Sequence, residues 1–147
     1  MPDNVYLGNP NLKKANTPIE FTEEQIIEFV QCQRDPVYFA NKYVKIVSLD
    51  EGLVPFKPYR FQEKLITNFH ENRFNICKMP RQTGKSTTVV SYLLHYAVFN
   101  DSVNIGILAN KAATARELLG RLQTAYENLP KWMQQGIMVW NKGSLEL

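Results

Sequence analysis

Apolar positions recur at helical spacing in several stretches of the chain and run almost uninterrupted in two others. The first helix is predicted to open at Thr22, with Gln25 three residues on completing a capping box and Phe21 and Ile26 able to form a hydrophobic staple. Ile26, Ile27, Phe29 and Val30 give it an apolar face. Asp35-Pro36 caps and starts a second, short helix carrying Val37, Phe39, Ala40 and Tyr43. Lys45 to Gly52 has the pattern of a strand ending in two acids, Asp50 and Glu51. After Pro55 and Pro58 a third helix runs through Phe61, Leu65, Ile66 and Phe69. Asn75 to Met79 is a short apolar run closed by Pro80, the pattern of a buried strand. Arg81 to Ser86 is polar, and Thr87 to Phe99 is a helix apolar almost all round, so it is expected to be buried. Val103 to Ala109 is a second near-continuous apolar strand. An amphipathic helix covers Lys111 to Asn128, and Val139-Trp140 and Leu145 to Leu147 flank a turn at Asn141-Lys142-Gly143.

Strand, loop, helix, strand, helix from residue 74 onward is the order of a parallel α/β sheet. Only two central strands are present where a doubly wound nucleotide-binding sheet usually has about five or more. The sequence therefore predicts an α/β fold with an incomplete parallel sheet, broken off in mid-pattern at Leu147. Three parts are expected: an extended or poorly ordered arm over 1–20, rich in Pro, Gly and Asn; a helical N-terminal region over 21–57; and the front of an α/β domain over 58–147.

Composition adds exclusions. The 147 residues are 44% hydrophobic and 12% aromatic, enough for a core and too much for wholesale disorder. No apolar run reaches the ~18 residues of a membrane span, and the N-terminus lacks a signal-peptide pattern. Cys32 and Cys77 stand far apart, so neither a disulfide framework nor a cysteine zinc site is expected, and a reduced intracellular setting is. Residues 1–72 carry eight Lys/Arg against ten Asp/Glu, and residues 73–147 carry nine against four, so the halves are net −2 and +5. The basic half suits an anionic partner such as a nucleotide or nucleic acid, and equally a solvated surface.

The informative chemistry is Met79-Pro80-Arg81-Gln82-Thr83-Gly84-Lys85-Ser86. Gly84, Lys85 and Ser86 fit the phosphate-loop pattern G-x-x-x-x-G-K-S/T, whereas Met79 occupies the place of the first glycine. A predicted strand before the loop and a helix after it supply the context the motif needs. Backbone N–H groups of the loop, Gln82 to Thr87, would surround phosphates at a helix N-terminus. Lys85 would reach the β- and γ-phosphates of ATP, and the Ser86 hydroxyl would bind Mg²⁺. Arg81 reads either as an arginine finger in cis or as a solvated arginine. Gln62, beside aromatic residues, reads either as a bidentate reader of adenine or as a polar residue on a helix surface. Val47 to Glu51 mimics a Walker B strand but precedes the loop, where the Mg²⁺-binding acid of this architecture follows it. Ala109 to Arg116 reads as a nucleic-acid contact or, slightly better, as a capped helix with surface charges. His70 and His95 are isolated in sequence, Cys77 is expected in the core of its strand, and Trp132 and Trp140 are expected to pack.

At these residues the chain resembles the large terminase subunit of T-even-type tailed bacteriophages. The resemblance is carried by NPNLKKAN, DPVYFANKYVKI, NICKMPRQTGKSTTVVSYLLHYAVFN, NIGILANK, ENLPKWMQQGI and WNKGSLEL, almost the whole chain. In that family the phosphate loop lacks its first glycine. The resemblance implies a P-loop NTPase fold of the RecA-like kind and the ATP-binding front of a DNA-packaging motor. The full motor would hydrolyse ATP, translocate double-stranded DNA into a prohead and cleave concatemers. It assigns Arg81 and Lys85 to catalysis, Ser86 to Mg²⁺ and Gln62 to adenine. It implies the small terminase subunit and the portal protein as partners, a homo-oligomeric ring only in the full motor, no membrane, and the host cytoplasm as location. Walker B acids and a nuclease domain would lie beyond Leu147, so turnover by this chain alone is not expected. A helicase-like nucleic-acid-dependent ATPase and a non-catalytic nucleotide- or DNA-binding module are the rival readings.

Overall fold

A computed structural model describes residues 4–48 and 50–147. Leu49, inside the predicted Lys45–Gly52 strand, and residues 1–3 of the predicted arm lie outside the described residues. The fold is mixed α/β. Its helices are α1 (Glu23–Arg34), α2 (Pro36–Tyr43), α3 (Arg60–Glu71), α4 (Lys85–Phe99) and α5 (Ala112–Glu127). Among the described residues the strands form three antiparallel hairpins: β1 (Val5–Tyr6) with β2 (Asn9–Lys13), β3 (Lys45–Ser48) with β4 (Gly52–Pro55), and β5 (Val139–Trp140) with β6 (Leu145–Glu146). No described helix is long and apolar enough to cross a membrane.

The helix starts form as their local chemistry dictates. Thr22 Oγ1 accepts the Gln25 N–H at 3.2 Å, and Gln25 Oε1 accepts the Thr22 N–H at 3.1 Å, closing the capping box. Asp35 Oδ1 accepts the N–H groups of Val37 and Tyr38, both at 2.9 Å. Asn141 Oδ1 accepts from Gly143 and Ser144 and so builds the β5–β6 turn.

α4 lies at the centre and packs against α2, α3 and α5. Its buried residues include Val90, Leu94, Val98 and Phe99, and the last three join Phe39, Ala40, Ile66, Ala125 and Tyr126 in one core. Phe39 meets Phe99 edge to face at 5.4 Å between ring centroids. Glu28 ties α1 to α2 by accepting from Tyr43 at 2.9 Å, Tyr38 at 3.2 Å and Lys42 at 2.8 Å. Desolvation alone would raise the Glu28 carboxyl, but these donors together hold it below its ordinary range. Burial, reinforced by Glu28 nearby, pushes the Cys32 thiol up to about 12.

Several expectations are corrected. The 1–20 arm is neither merely extended nor loose: from residue 4 it forms the β1–β2 hairpin, and β2 is strapped to the far end of the chain. Ala15 N–H donates to Ile137 O at 3.1 Å and Ile137 N–H to Lys13 O at 2.9 Å. Buried Gln134 accepts the Lys13 N–H at 3.0 Å and donates to Asn11 O at 2.9 Å and Leu129 O at 3.0 Å. Gly136 permits this approach, since a Cβ there would stand 2.4 Å from Ala15 Cα. The predicted Lys45–Gly52 strand is not a single strand: Lys45–Ser48 forms β3, Asp50 and Glu51 lie in the turn, and Gly52 already belongs to β4, opposite Ser48.

The predicted parallel strands at 75–79 and 103–109 carry no ladder among the described residues. Apolar side chains make an extended run strand-like, but a strand exists only when another backbone meets its N–H and C=O groups. Ile76 and Leu108 are instead fully or almost fully exposed, at 101% and 92%. Cys77 is accordingly half-buried rather than in a core strand. The apolar face expected of α1 is split: Phe29 packs on Phe99 as expected, but Ile26, Ile27 and Val30 are exposed while Cys32 is buried. Phe21 meets Phe29 and Trp132 at ring-centroid distances of 6.2 and 6.5 Å, and shares with Ile26 the wall of an apolar cleft.

Candidate nucleotide site

The start of α3 and the loop before α4 are held against each other by one side chain. Tyr59 is the N-cap of α3, and Gln62 sits at its third helical position. Gln62 Oε1 accepts the Tyr59 N–H at 2.8 Å, while Gln62 Nε2 donates to Thr83 O at 3.3 Å. The amide is buried and acts as a strut from helix to loop. The sequence held a sign of this role: Tyr59 and Gln62 have the same spacing as Thr22 and Gln25, a glutamine reaching back to its cap.

The loop turns on two left-handed residues, Gln82 at φ 60° and Gly84 at φ 72°. Alternation of this kind points successive N–H groups into one concavity. Thr83 Oγ1 donates to Pro80 O at 3.0 Å and braces the turn. Gly84 answers two demands, because a Cβ there would also come within 2.5 Å of Gln62 Nε2. As the N-cap of α4 it offers no side chain to the helix. The first intrahelical bond is Thr88 N–H to Gly84 O at 2.9 Å, and the Thr88 hydroxyl reaches the same carbonyl at 2.9 Å. Among the described residues the N–H groups of Lys85, Ser86 and Thr87 therefore meet no partner, and they carry the positive end of α4.

Lys85 opens the helix, and its Nζ folds back to Met79 O at 3.5 Å, the outer limit of a hydrogen bond. Ser86 and Arg81 are exposed, Arg81 without an ion pair among the described residues. Tyr59 and Phe61 lie in the open beside the Gln62 strut, their rings 5.9 Å apart and 10° from parallel. The structure thus brings Gln62, Thr83, Gly84 and Lys85 together, with Gln82, Ser86 and Thr87 on the same loop and first turn. Such an arrangement can hold a phosphate on backbone N–H groups and neutralise it with one ammonium.

The remaining sequence candidates lie elsewhere. Lys111 stands at the N-cap position of α5, gives the helix no side-chain capping bond and is exposed. Arg116 lines a cleft of about 640 Å³ between α5, the 100–107 segment and β6, away from the phosphate loop. His70 and His95, isolated in sequence, meet with ring centroids 5.8 Å apart. His95 is buried and its Nε2–H donates to Cys32 O at 2.9 Å, so its role is in the core. No family model matches this chain.

Proposed function

We propose that this chain binds ATP through the 80–87 loop and belongs to a DNA-packaging motor of the terminase type. The observation that carries the nucleotide reading is the uncapped start of α4, with Gly84 left-handed, three N–H groups unpartnered among the described residues and Lys85 as the first helical residue. The packaging reading rests on the sequence resemblance. In it the phosphates lie on the N–H groups of Lys85 to Thr87, and Lys85 exchanges its long contact with Met79 O for the β- and γ-phosphates. The exposed Ser86 hydroxyl suits Mg²⁺, which when bound neutralises charge between those phosphates. Arg81, exposed on the same loop, acts on the γ-phosphate. Tyr59 and Phe61 offer an aromatic surface to the base, whereas the buried Gln62 amide, with Oε1 on the Tyr59 N–H and Nε2 on Thr83 O, holds the loop instead of reading adenine. The apolar segments 75–79 and 103–109 take the part of central strands of a parallel sheet once other strands pair with them, and double-stranded DNA and the prohead portal are the partners.

Titration with a fluorescent ATP analogue tests the site. Binding is expected, and Lys85→Ala is expected to weaken it roughly tenfold or more, the scale of a lost charge-assisted contact. Binding that is absent, or indifferent to Lys85→Ala, overturns the reading. A second reading, a nucleotide-binding module without turnover, is favoured by one observation: among the described residues no carboxylate is paired with Arg81 or Lys85 or hydrogen-bonded to the loop between them. Phosphate release separates the two. In an active motor Arg81→Ala is expected to cut turnover by about 10³-fold while sparing binding.

A further inference from the structure

α1 exposes a stripe that the core does not use. Phe29 packs on Phe99 at 4.9 Å and Cys32 is buried, so one side of the helix faces inward. On the other, Ile26, Ile27 and Val30 stand in solvent, Ile27 at 71%. Glu23, Ile27, Val30 and Arg34 follow one another at helical spacings of four, three and four and therefore share a face. Both terminal charges are exposed, and neither is in an ion pair among the described residues. Glu28, an acid further along the helix, is already engaged by Lys42, Tyr38 and Tyr43. An apolar cleft of about 400 Å³, lined by Phe21, Ile26, Val30 and Trp132, adjoins the stripe and widens the apolar area.

The order acid, apolar, apolar, base is its own complement when reversed. We propose that α1 is a self-association face, on which a second copy of this chain lays its own α1 antiparallel about a two-fold axis. Glu23 then meets Arg34 of the second copy, and Ile27 meets its Val30. By symmetry each pair forms twice, the isologous arrangement of a closed dimer. A parallel pairing would set Glu23 against Glu23 and Arg34 against Arg34, so the charges select the antiparallel one. The Ile27 and Val30 side chains supply the apolar contact that isolated exposed residues lack.

Sedimentation equilibrium across a concentration series tests the proposal, with circular dichroism showing that each variant keeps its helix content. The wild-type chain is expected to give a reversible monomer–dimer equilibrium. Glu23→Arg alone, and Arg34→Glu alone, are each expected to weaken it roughly tenfold, since each exchanges two attractive pairs for two repulsive ones. The two variants mixed are expected to recover wild-type affinity. In the mixed dimer both charge pairs are attractive again, one of them with its acid and base exchanged. Ile27→Glu is expected to abolish the dimer without loss of fold. A monomer at every concentration overturns the proposal, and so does association that ignores the charge changes or is not restored by mixing. Association through the exposed Ile76 and Leu108 would give that indifference, so the mixed sample distinguishes it.

Discussion

Gly84 and Gln62 are coupled through less than one atom's width of space. Alanine at 84 must hold a left-handed backbone, at a cost of about 1–2 kcal/mol, and its Cβ drives Gln62 Nε2 away from Thr83 O. Gly84→Ala is expected to lower unfolding stability by about 2 kcal/mol and to abolish nucleotide binding. With Gln62→Ala added, the further loss is expected to be smaller than Gln62→Ala costs alone, because the clash has gone; urea melts of the four proteins measure this coupling. A second residue with a measurable signature is His95. Burial is the main cause that lowers its pKa to about 4, and His70 of α3 adds to it, while the Cys32 carbonyl and Asp35 oppose. The aromatic rings of Phe39, Tyr92 and Phe99 complete its surroundings. The folded state keeps His95 neutral, whereas the unfolded chain takes a proton near pH 6.5. Stability is therefore complete above pH 6.5 and falls as pH drops towards about 4, by up to about 3 kcal/mol. Glu28 titrates at the acid end as well, so the comparison with His95→Gln isolates the histidine: the variant is expected to flatten the slope between those limits. An unchanged slope would remove His95 from the account.

Among the elements, the β1–β2 hairpin depends most on one distant side chain. Gln134 is buried and serves Lys13 N–H, Asn11 O and Leu129 O at once. Gln134→Leu keeps much of the volume but leaves those backbone groups unpaired, each costing about 1–3 kcal/mol where it stays dry. A total loss of about 3 kcal/mol is expected, with limited proteolysis cutting first between residues 4 and 20. Equal protease resistance in the variant would show the hairpin to be held by Leu12 and its neighbours instead. Nothing near Gln134 in sequence signals this task, because its hairpin partners are 121 and 123 residues away. The helix starts were legible for the opposite reason: Thr22 with Gln25, and Asp35 with Val37 and Tyr38, complete their bonds within three residues. The β5–β6 hairpin was legible in the same way, through the Asn141 turn. The strut from Gln62 to Thr83 was half legible, its cap bond being local and its loop bond not.

At the scale of the molecule, a tightly packed helical body carries two apolar segments that stand open. Ile76 and Leu108 contribute nothing to the core, so Ile76→Lys and Leu108→Lys are each expected to change stability by less than about 0.5 kcal/mol while reducing aggregation. Hydrogen exchange is expected to be fast over 74–80 and 103–109 and slow in the middle of α4; protection of those segments would mean that another backbone pairs with them in solution. The sequence by itself determined that the helices form, the starts of α1 and α2, the burial of α4, the turn at Asn141 and the residue chemistry of the 80–87 segment, while α4 begins at Lys85, two residues before the expected Thr87. All of these depend on neighbours within about one helical turn, or on an apolar surface that any core would bury. Only the tertiary structure decided that the N-terminal residues are strapped to Gln134 and Ile137, that His70 meets His95, that α1 turns its isoleucines outward and that the two strand-like runs stay unpaired. Each of those outcomes is set by a partner far away in the chain, and an apolar run cannot state in its own residues whether a backbone will come to meet it.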